Sequence, residues 1–237
     1  MNKTICGCNK CNHKLCTQRV SIFSSLNIEQ LEKVGELINH KEYKKGDLLI
    51  MEGESSESLV IINEGQVKAF KTTQDGREQI LYIFSEGDFF GERNLLRDFA
   101  SPYSVEALEE THVCLIHKSD FQILVKSFPD IAVKIMEELC QRLDRLEHAL
   151  ETMGARTVEA RVSSVILEFA EKYGKEHPKG ILIELPLSRE GIANYIGLTR
   201  ETVSRKMSLL QSEGILEMIG NKKILLLDRV ALEKNIE

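Results

Sequence analysis

From Ala132 the apolar residues Met136, Leu139, Leu143, Leu146, Leu150 and Met153 follow one another at spacings of 4, 3, 4, 3, 4 and 3. A strand repeats every second residue and cannot gather these side chains on one face, whereas an α-helix sets them in a single stripe. A stripe this narrow, sustained over three heptads and flanked by Glu137, Arg142, Asp144, Arg145 and Glu147, suits a two-helix contact. The pattern predicts a long helix that pairs with its copy in a homodimer, and Gly154 falls where the stripe ends. Packing onto the chain's own core is the other use to which such a stripe can be put. Cys140 lies beside the stripe and is read as a packing residue.

The stretches on either side follow different periods. Upstream, SSLNIEQLEKVGELIN predicts a short helix capped by Asn27, with Gln30 placed to complete a capping box and Leu26 and Leu31 spaced as a hydrophobic staple. Residues 42–118 then carry short β-rich runs punctuated by Gly46, Gly53, Gly65, Gly76 and Gly87, the last three spaced eleven apart. That rhythm predicts a compact antiparallel sandwich or roll, with Asp75-Gly76 its clearest hairpin signal. Downstream, Ser188 caps one predicted helix that Gly197 ends, and Thr199 caps a second with Val203, Met207 and Leu210 on its inner face. Two short helices joined by a glycine turn form a helix-turn-helix, and Ile224 to Leu227 after Gly220-Asn221 predicts a hairpin wing. The outer face of the second helix carries Arg200, Glu201, Ser204, Arg205 and Lys206, side chains able to reach base edges and phosphates.

At 237 residues, with 42% apolar and 29% charged, the chain has material for two ordinary domains. No run approaches the roughly 20 apolar residues that span a bilayer. The opening MNKTICGCNKCNHK also lacks the apolar stretch of a secretory signal, so no membrane association is expected and the expected compartment is the cytoplasm. Thiols stay reduced there, and clustered cysteines are more often metal ligands or redox sensors than disulfides. The net charge of −6 is unevenly divided: from Arg156 onward it is +1, and over the first 155 residues it is −7. A polyanionic partner therefore belongs to the C-terminal part. No P-loop, nucleophile elbow or HExxH helix is present, and Glu86, Asp88 and Glu92 read as turn or solvated carboxylates, which makes the chain a non-enzyme.

Roll, long helix and winged helix-turn-helix, in this order, resemble the CRP/FNR family of bacterial transcription regulators. The most specific pieces are EGDFFGE from Glu86 to Glu92 and IGLTRETVSR from Ile196 to Arg205. The resemblance implies an α+β architecture: a cysteine-rich tail over 1–20, an antiparallel β-roll of the cyclic-nucleotide-binding type over 21–128, a dimerisation helix over 129–155 and a winged helix-turn-helix over 156–237. It also implies that the RETVSR helix enters the major groove of a palindromic double-stranded operator, with Arg200, Glu201, Ser204 and Arg205 as base readers, and that RNA polymerase is a further partner. Arginine suits the O6/N7 edge of guanine, and a glutamate can accept from the cytosine amino group. Family members that bind cAMP carry an Arg-Ser pair downstream of the Gly-Glu of the roll. Here Gly91-Glu92 is present, but the corresponding positions hold Pro102 and Tyr103, while Arg93 and Arg97 lie earlier in the loop.

Four of the six cysteines fall within CGCNKCNHKLC, Cys6 to Cys16. FNR-type sensors resemble this chain in carrying three ligating cysteines in the tail and a fourth on a strand before the dimer helix. The resemblance assigns Cys8, Cys11, Cys16 and Cys114 to a 4Fe-4S cluster, one thiolate per iron, with Cys6 as an alternative ligand. Loss of the cluster in oxygen would then remove a cross-link between tail and roll. The C-x2-C-x4-C spacing is one residue shorter in its second gap than the best-known FNR pattern. Two other chemistries use the same residues: a dithiol switch pairing one tail cysteine with Cys114, which needs no cofactor, and a zinc site at Cys8, Cys11, His13 and Cys16.

Overall fold

The computed structural model describes residues 16–96, 100–155 and 157–236. Two compact units form, one from Met1–Lys71 with Leu81–Asp144 and the other from Thr72–Ile80 with Arg145–Glu237.

The first unit opens with two short 3-10 turns, Cys16–Arg19 and Ser21–Phe23, and helix α1, Ile28–Glu36. Asn27 Oδ1 accepts from the Gln30 amide at 3.0 Å and Gln30 Oε1 from the Asn27 amide at 2.9 Å, so the expected capping box satisfies two amides that the first turn would otherwise leave open. Eight strands follow: β1 Ile38–Tyr43, β2 Leu48–Ile50, β3 Ser58–Glu64, β4 Val67–Thr72, β5 Glu78–Phe84, β6 Phe89–Phe90, β7 Ser104–Ala107 and β8 Thr111–His117, with the short helix α2, Glu92–Leu96, after β6. They are ordered β1-β8-β3-β6 and β2-β7-β4-β5 in two four-stranded sheets, the antiparallel roll expected from the glycine rhythm. The β4–β5 hairpin turns through Asp75-Gly76; the Thr73 amide donates to the Arg77 carbonyl at 2.8 Å, and Gly76 takes φ 79°.

β3 shows why the roll's strands read as unbroken apolar runs. Its side chains alternate between two cores: Leu59 and Ile61 join Phe23, Leu31, Phe89, Cys114, Ile116 and Ile131, while Val60 and Ile62 join Val67, Phe84, Phe90, Tyr103 and Val113. Both faces are buried, and each fully covered Ile, Leu or Phe contributes about 1.5–3 kcal/mol. The first of these cores also receives α3, Lys118–Ser127, and the start of α4, Asp130–Ala155, through Phe121, Leu124, Ile131 and Ile135.

Along α4 the seam residues separate into two groups. Leu139 packs against the roll core, whereas Met136, Leu143 and Leu146 stand exposed, the first two by 56% and 54%. The side chains of Leu150 and Met153 lie outside the described residues. Cys140 corrects an expectation: it is exposed rather than packed. It stands one residue, about 100° of helix, beyond Leu139, and so turns away from the side that meets the roll.

The second unit contains α5, Val158–Tyr173, strands β9 Gly174–His177 and β10 Gly180–Glu184, helices α6 Arg189–Ile196 and α7 Arg200–Ser212, the hairpin β11 Leu216–Ile219 with β12 Lys223–Leu226, and α8, Arg229–Lys234. The hairpin joins β10 and β9 in a four-stranded sheet ordered β11-β12-β10-β9, so the wing is half of a larger sheet than the sequence reading anticipated. Among the described residues no helix is long and apolar enough to cross a membrane.

Candidate functional site

Local rules set the angle and exposure of α7. Ser188 Oγ accepts from the Gly191 amide at 3.1 Å to start α6, and Gly197 ends it in the left-handed region at φ 68°. Any other residue there would carry a Cβ into a conformation that costs about 1 kcal/mol or more. Thr199 Oγ1 then accepts from the Thr202 amide at 3.2 Å and starts α7. Burial of Val203, Met207 and Leu210 fixes which side of α7 faces inward, and the helical period leaves Arg200, Glu201 and Arg205 exposed and Ser204 half-exposed on the other. Lys206 lies on the flank instead, its Nζ 3.0 Å from Glu159 Oε2 of α5.

Two groups near this face were not picked out from the sequence. The Arg189 guanidinium lies against the sulfurs of Met207 and Met218, at 3.4 and 2.9 Å, and so ties the start of α6 to α7 and to the hairpin. Lys222 and Lys223 are exposed at the hairpin tip, where a run of only two cations had given no separate signal. Their ammonium groups, like the exposed cations of α7, are of a kind suited to phosphates.

In the first unit, Cys114 of β8 stands opposite His40 of β1, with its Sγ 3.6 Å from His40 Nδ1. Cys114 is only 1% exposed and shares its core with Val20, Ile22 and Phe23, the residues that follow the turn begun by Cys16. The backbone at Cys16 is therefore led toward the core that holds Cys114. The side chain of Cys16, and Cys6, Cys8, Cys11 and His13 altogether, lie outside the described residues. Among those described, no group of three or more His, Cys, Asp or Glu side chains is gathered as for a metal.

The roll interior holds a second polar cluster. Glu92 is buried, and its Oε1 accepts from Arg142 Nη1 of α4 at 2.9 Å. Arg142 Nη2 donates to the Phe89 carbonyl at 2.6 Å, and the guanidinium lies 4.8 and 5.4 Å from the centroids of Phe89 and Phe84. Removing one partner of a pair this deeply buried costs about 3–5 kcal/mol. Glu92 Oε2 is buried and has no hydrogen-bond partner among the described residues. At the positions that correspond to the Arg-Ser pair of cAMP-binding members, Tyr103 is buried; desolvation first, and then the Glu92 carboxylate, push its hydroxyl far above the ordinary phenol range. Arg93 is exposed, and Arg97 lies outside the described residues.

A roll, a long helix and a winged helix-turn-helix, in this order, make the architecture of a DNA-binding regulator. Residues 40–128 match the family of the cyclic nucleotide-binding domain, and residues 160–235 match the Crp-like helix-turn-helix domain. The chain is 28% identical to the probable transcriptional regulator flp of Lacticaseibacillus casei, over 87% of this chain and 92% of that one. It is 24% identical to the transcriptional activator protein FnrL of Cereibacter sphaeroides, over 84% and 81%. Among solved structures, FixK2 from Bradyrhizobium japonicum superposes with a TM-score of 0.76 at 28% identity, covering 84% of this chain and 98% of that one. The chain belongs to the CRP/FNR family of DNA-binding transcription regulators, a non-enzyme class.

Proposed function

We propose that the chain is a homodimeric transcription regulator of the cytoplasm that senses oxygen or redox state through Cys8, Cys11, Cys16 and Cys114. These four would hold a 4Fe-4S cluster, with Cys6 as an alternative tail ligand. The observation that carries the reading is that the backbone leaving Cys16 enters the core in which Cys114 is buried. The donor chemistry fits, because a buried thiolate needs a cationic partner and one strand thiol with three from the tail makes up the set of four. When bound, the group supplies an oxygen-labile cross-link between tail and roll. Val20, Ile22 and Phe23 would pass that restraint to the core on which the start of α4 packs. His40 beside Cys114 favours a second reading, a dithiol switch that pairs Cys114 with one tail cysteine and holds no cofactor.

In this reading residues 1–20 are the sensing tail, 21–128 the roll, 129–155 the dimer helix and 156–237 the DNA-binding domain. The exposed Met136, Leu143 and Leu146, with Leu139, Leu150 and Met153 completing the stripe, form the dimer seam, since exposed apolar residues aligned along a helix are most simply covered by a second copy. Leu143→Ala is expected to raise the dimer dissociation constant about tenfold, roughly 1.4 kcal/mol, in sedimentation equilibrium. Arg200, Glu201, Ser204 and Arg205 read base edges in a palindromic operator, while Lys206 and the hairpin lysines supply phosphate contacts, and RNA polymerase is a further partner. The test is a binding titration on double-stranded DNA at several salt concentrations, under nitrogen and after air. Affinity that falls linearly on a log–log salt plot and is weakened by air supports the reading; affinity indifferent to both contradicts it.

A further inference from the structure

Neither the α7 surface nor the cysteines make use of the buried pair between Arg142 and Glu92. On α4, Ile131, Ile135, Leu139 and Arg142 fall on one side at helical spacing. The first three pack against the roll core, and Arg142 extends their row by a further turn through its ion pair. Met136 and Leu143 occupy the neighbouring side and stand exposed. The rotation of α4 at the level of Leu143 is therefore fixed by what holds Arg142.

That hold is tight on both partners. The guanidinium is anchored at two points, Glu92 Oε1 and the Phe89 carbonyl, and lies over two aromatic rings, so its planar fork has little freedom. The side chains of the two partners are 12% and 4% exposed. Glu92 is positioned in turn by Gly91, whose φ is 93° and where a Cβ would stand 2.6 Å from the Ser58 carbonyl, so β3 is pressed against the start of α2. A line of close contacts runs from β3 through Gly91 and Glu92 to Arg142.

We propose that this ion pair is a strut built into the chain, which sets the face of α4 offered to a second copy with no small molecule bound. The proposal rests on the reading of α4 as the dimer helix and adds what controls it. Inside a roll of the cyclic-nucleotide-binding type, the cation that meets Glu92 comes from the protein's own helix.

The test compares the full-length wild type with Glu92→Gln, Arg142→Gln and the double variant, using hydrogen–deuterium exchange over residues 136–144 and sedimentation. Glu92 is buried away from the seam, so an effect of Glu92→Gln on dimerisation must pass through Arg142. Both single variants are expected to speed exchange over 136–144 and to raise the dimer dissociation constant about 5- to 150-fold. The double variant is expected to be no worse than the worse single one, because one interaction is lost only once. Exchange unchanged in Glu92→Gln, or losses that add in the double variant, would overturn the strut. Arg142→Lys is the milder probe should the neutral variants lose the fold: it keeps the charge but lacks the planar fork that meets Glu92 and the Phe89 carbonyl and lies over the two rings, so intermediate exchange is expected and wild-type exchange would overturn the proposal. A wild type that sediments as a monomer at every concentration contradicts the dimer reading itself, before any variant is made.

Discussion

Replacing Arg205 by alanine is expected to weaken operator binding by roughly 2–6 kcal/mol per dimer, about thirtyfold at the least, with fold and dimer unchanged. The magnitude follows from about 1–3 kcal/mol for each arginine–guanine contact, lost in both half-sites. The fold should be indifferent because Arg205 is exposed and α7 is held from its other side by Val203, Met207 and Leu210. Loss should be confined to operators that carry the base Arg205 reads, so discrimination at that position relaxes while binding to random DNA changes little. Lys206→Ala should behave differently. Its ammonium is turned toward Glu159, on the flank, so its removal is expected to reduce the salt slope without changing base preference. A titration of both variants against operator and mutated operator checks the pair, and an Arg205→Ala protein with wild-type discrimination contradicts the assignment.

Cys114→Ser is expected to abolish the response of DNA binding to air. Serine is close to cysteine in size, so the strand and its two cores should keep their packing, at a cost of about 1–3 kcal/mol for a hydroxyl in an apolar setting. With Cys114 as the proposed strand ligand, the tail thiols of the variant would have nothing to tie them to the roll, so binding measured under nitrogen and in air should coincide in the variant and differ in the wild type. Thermal unfolding checks that the variant is folded. A folded Cys114→Ser protein that responds to air like the wild type would remove Cys114 from the sensing chemistry.

Apart from the periodic patterns of the α4 stripe and the roll's glycines, what could be read from the sequence has determinants that lie within a few residues of each other. The capping box at Asn27 and Gln30, the turn at Asp75-Gly76, and the Ser188, Gly197 and Thr199 signals of the helix-turn-helix each depend on a single turn of chain. What escaped depends on register between distant segments. Arg142 and Glu92 are 50 residues apart, and nothing local marks an arginine on a charged helix flank as the one that turns inward. His40 reaches Cys114 only through the pairing of β1 with β8. β9, GKEH, is exposed along its whole length and shows no alternation by which a strand could be recognised. Lys206 illustrates the same limit within the candidate DNA face: the sequence places it on α7, but its direction is decided by Glu159 of another helix. Cys140 likewise sits one position from a residue that packs, and that single step carries it to the open side of α4.

The most direct measurement is the iron and acid-labile sulfide content of the full chain purified without oxygen, with a visible spectrum recorded before and after air is admitted. About four irons and four sulfides per chain are expected, with a broad visible absorption that bleaches in air. A colourless protein that takes up no iron after anaerobic reconstitution would contradict it.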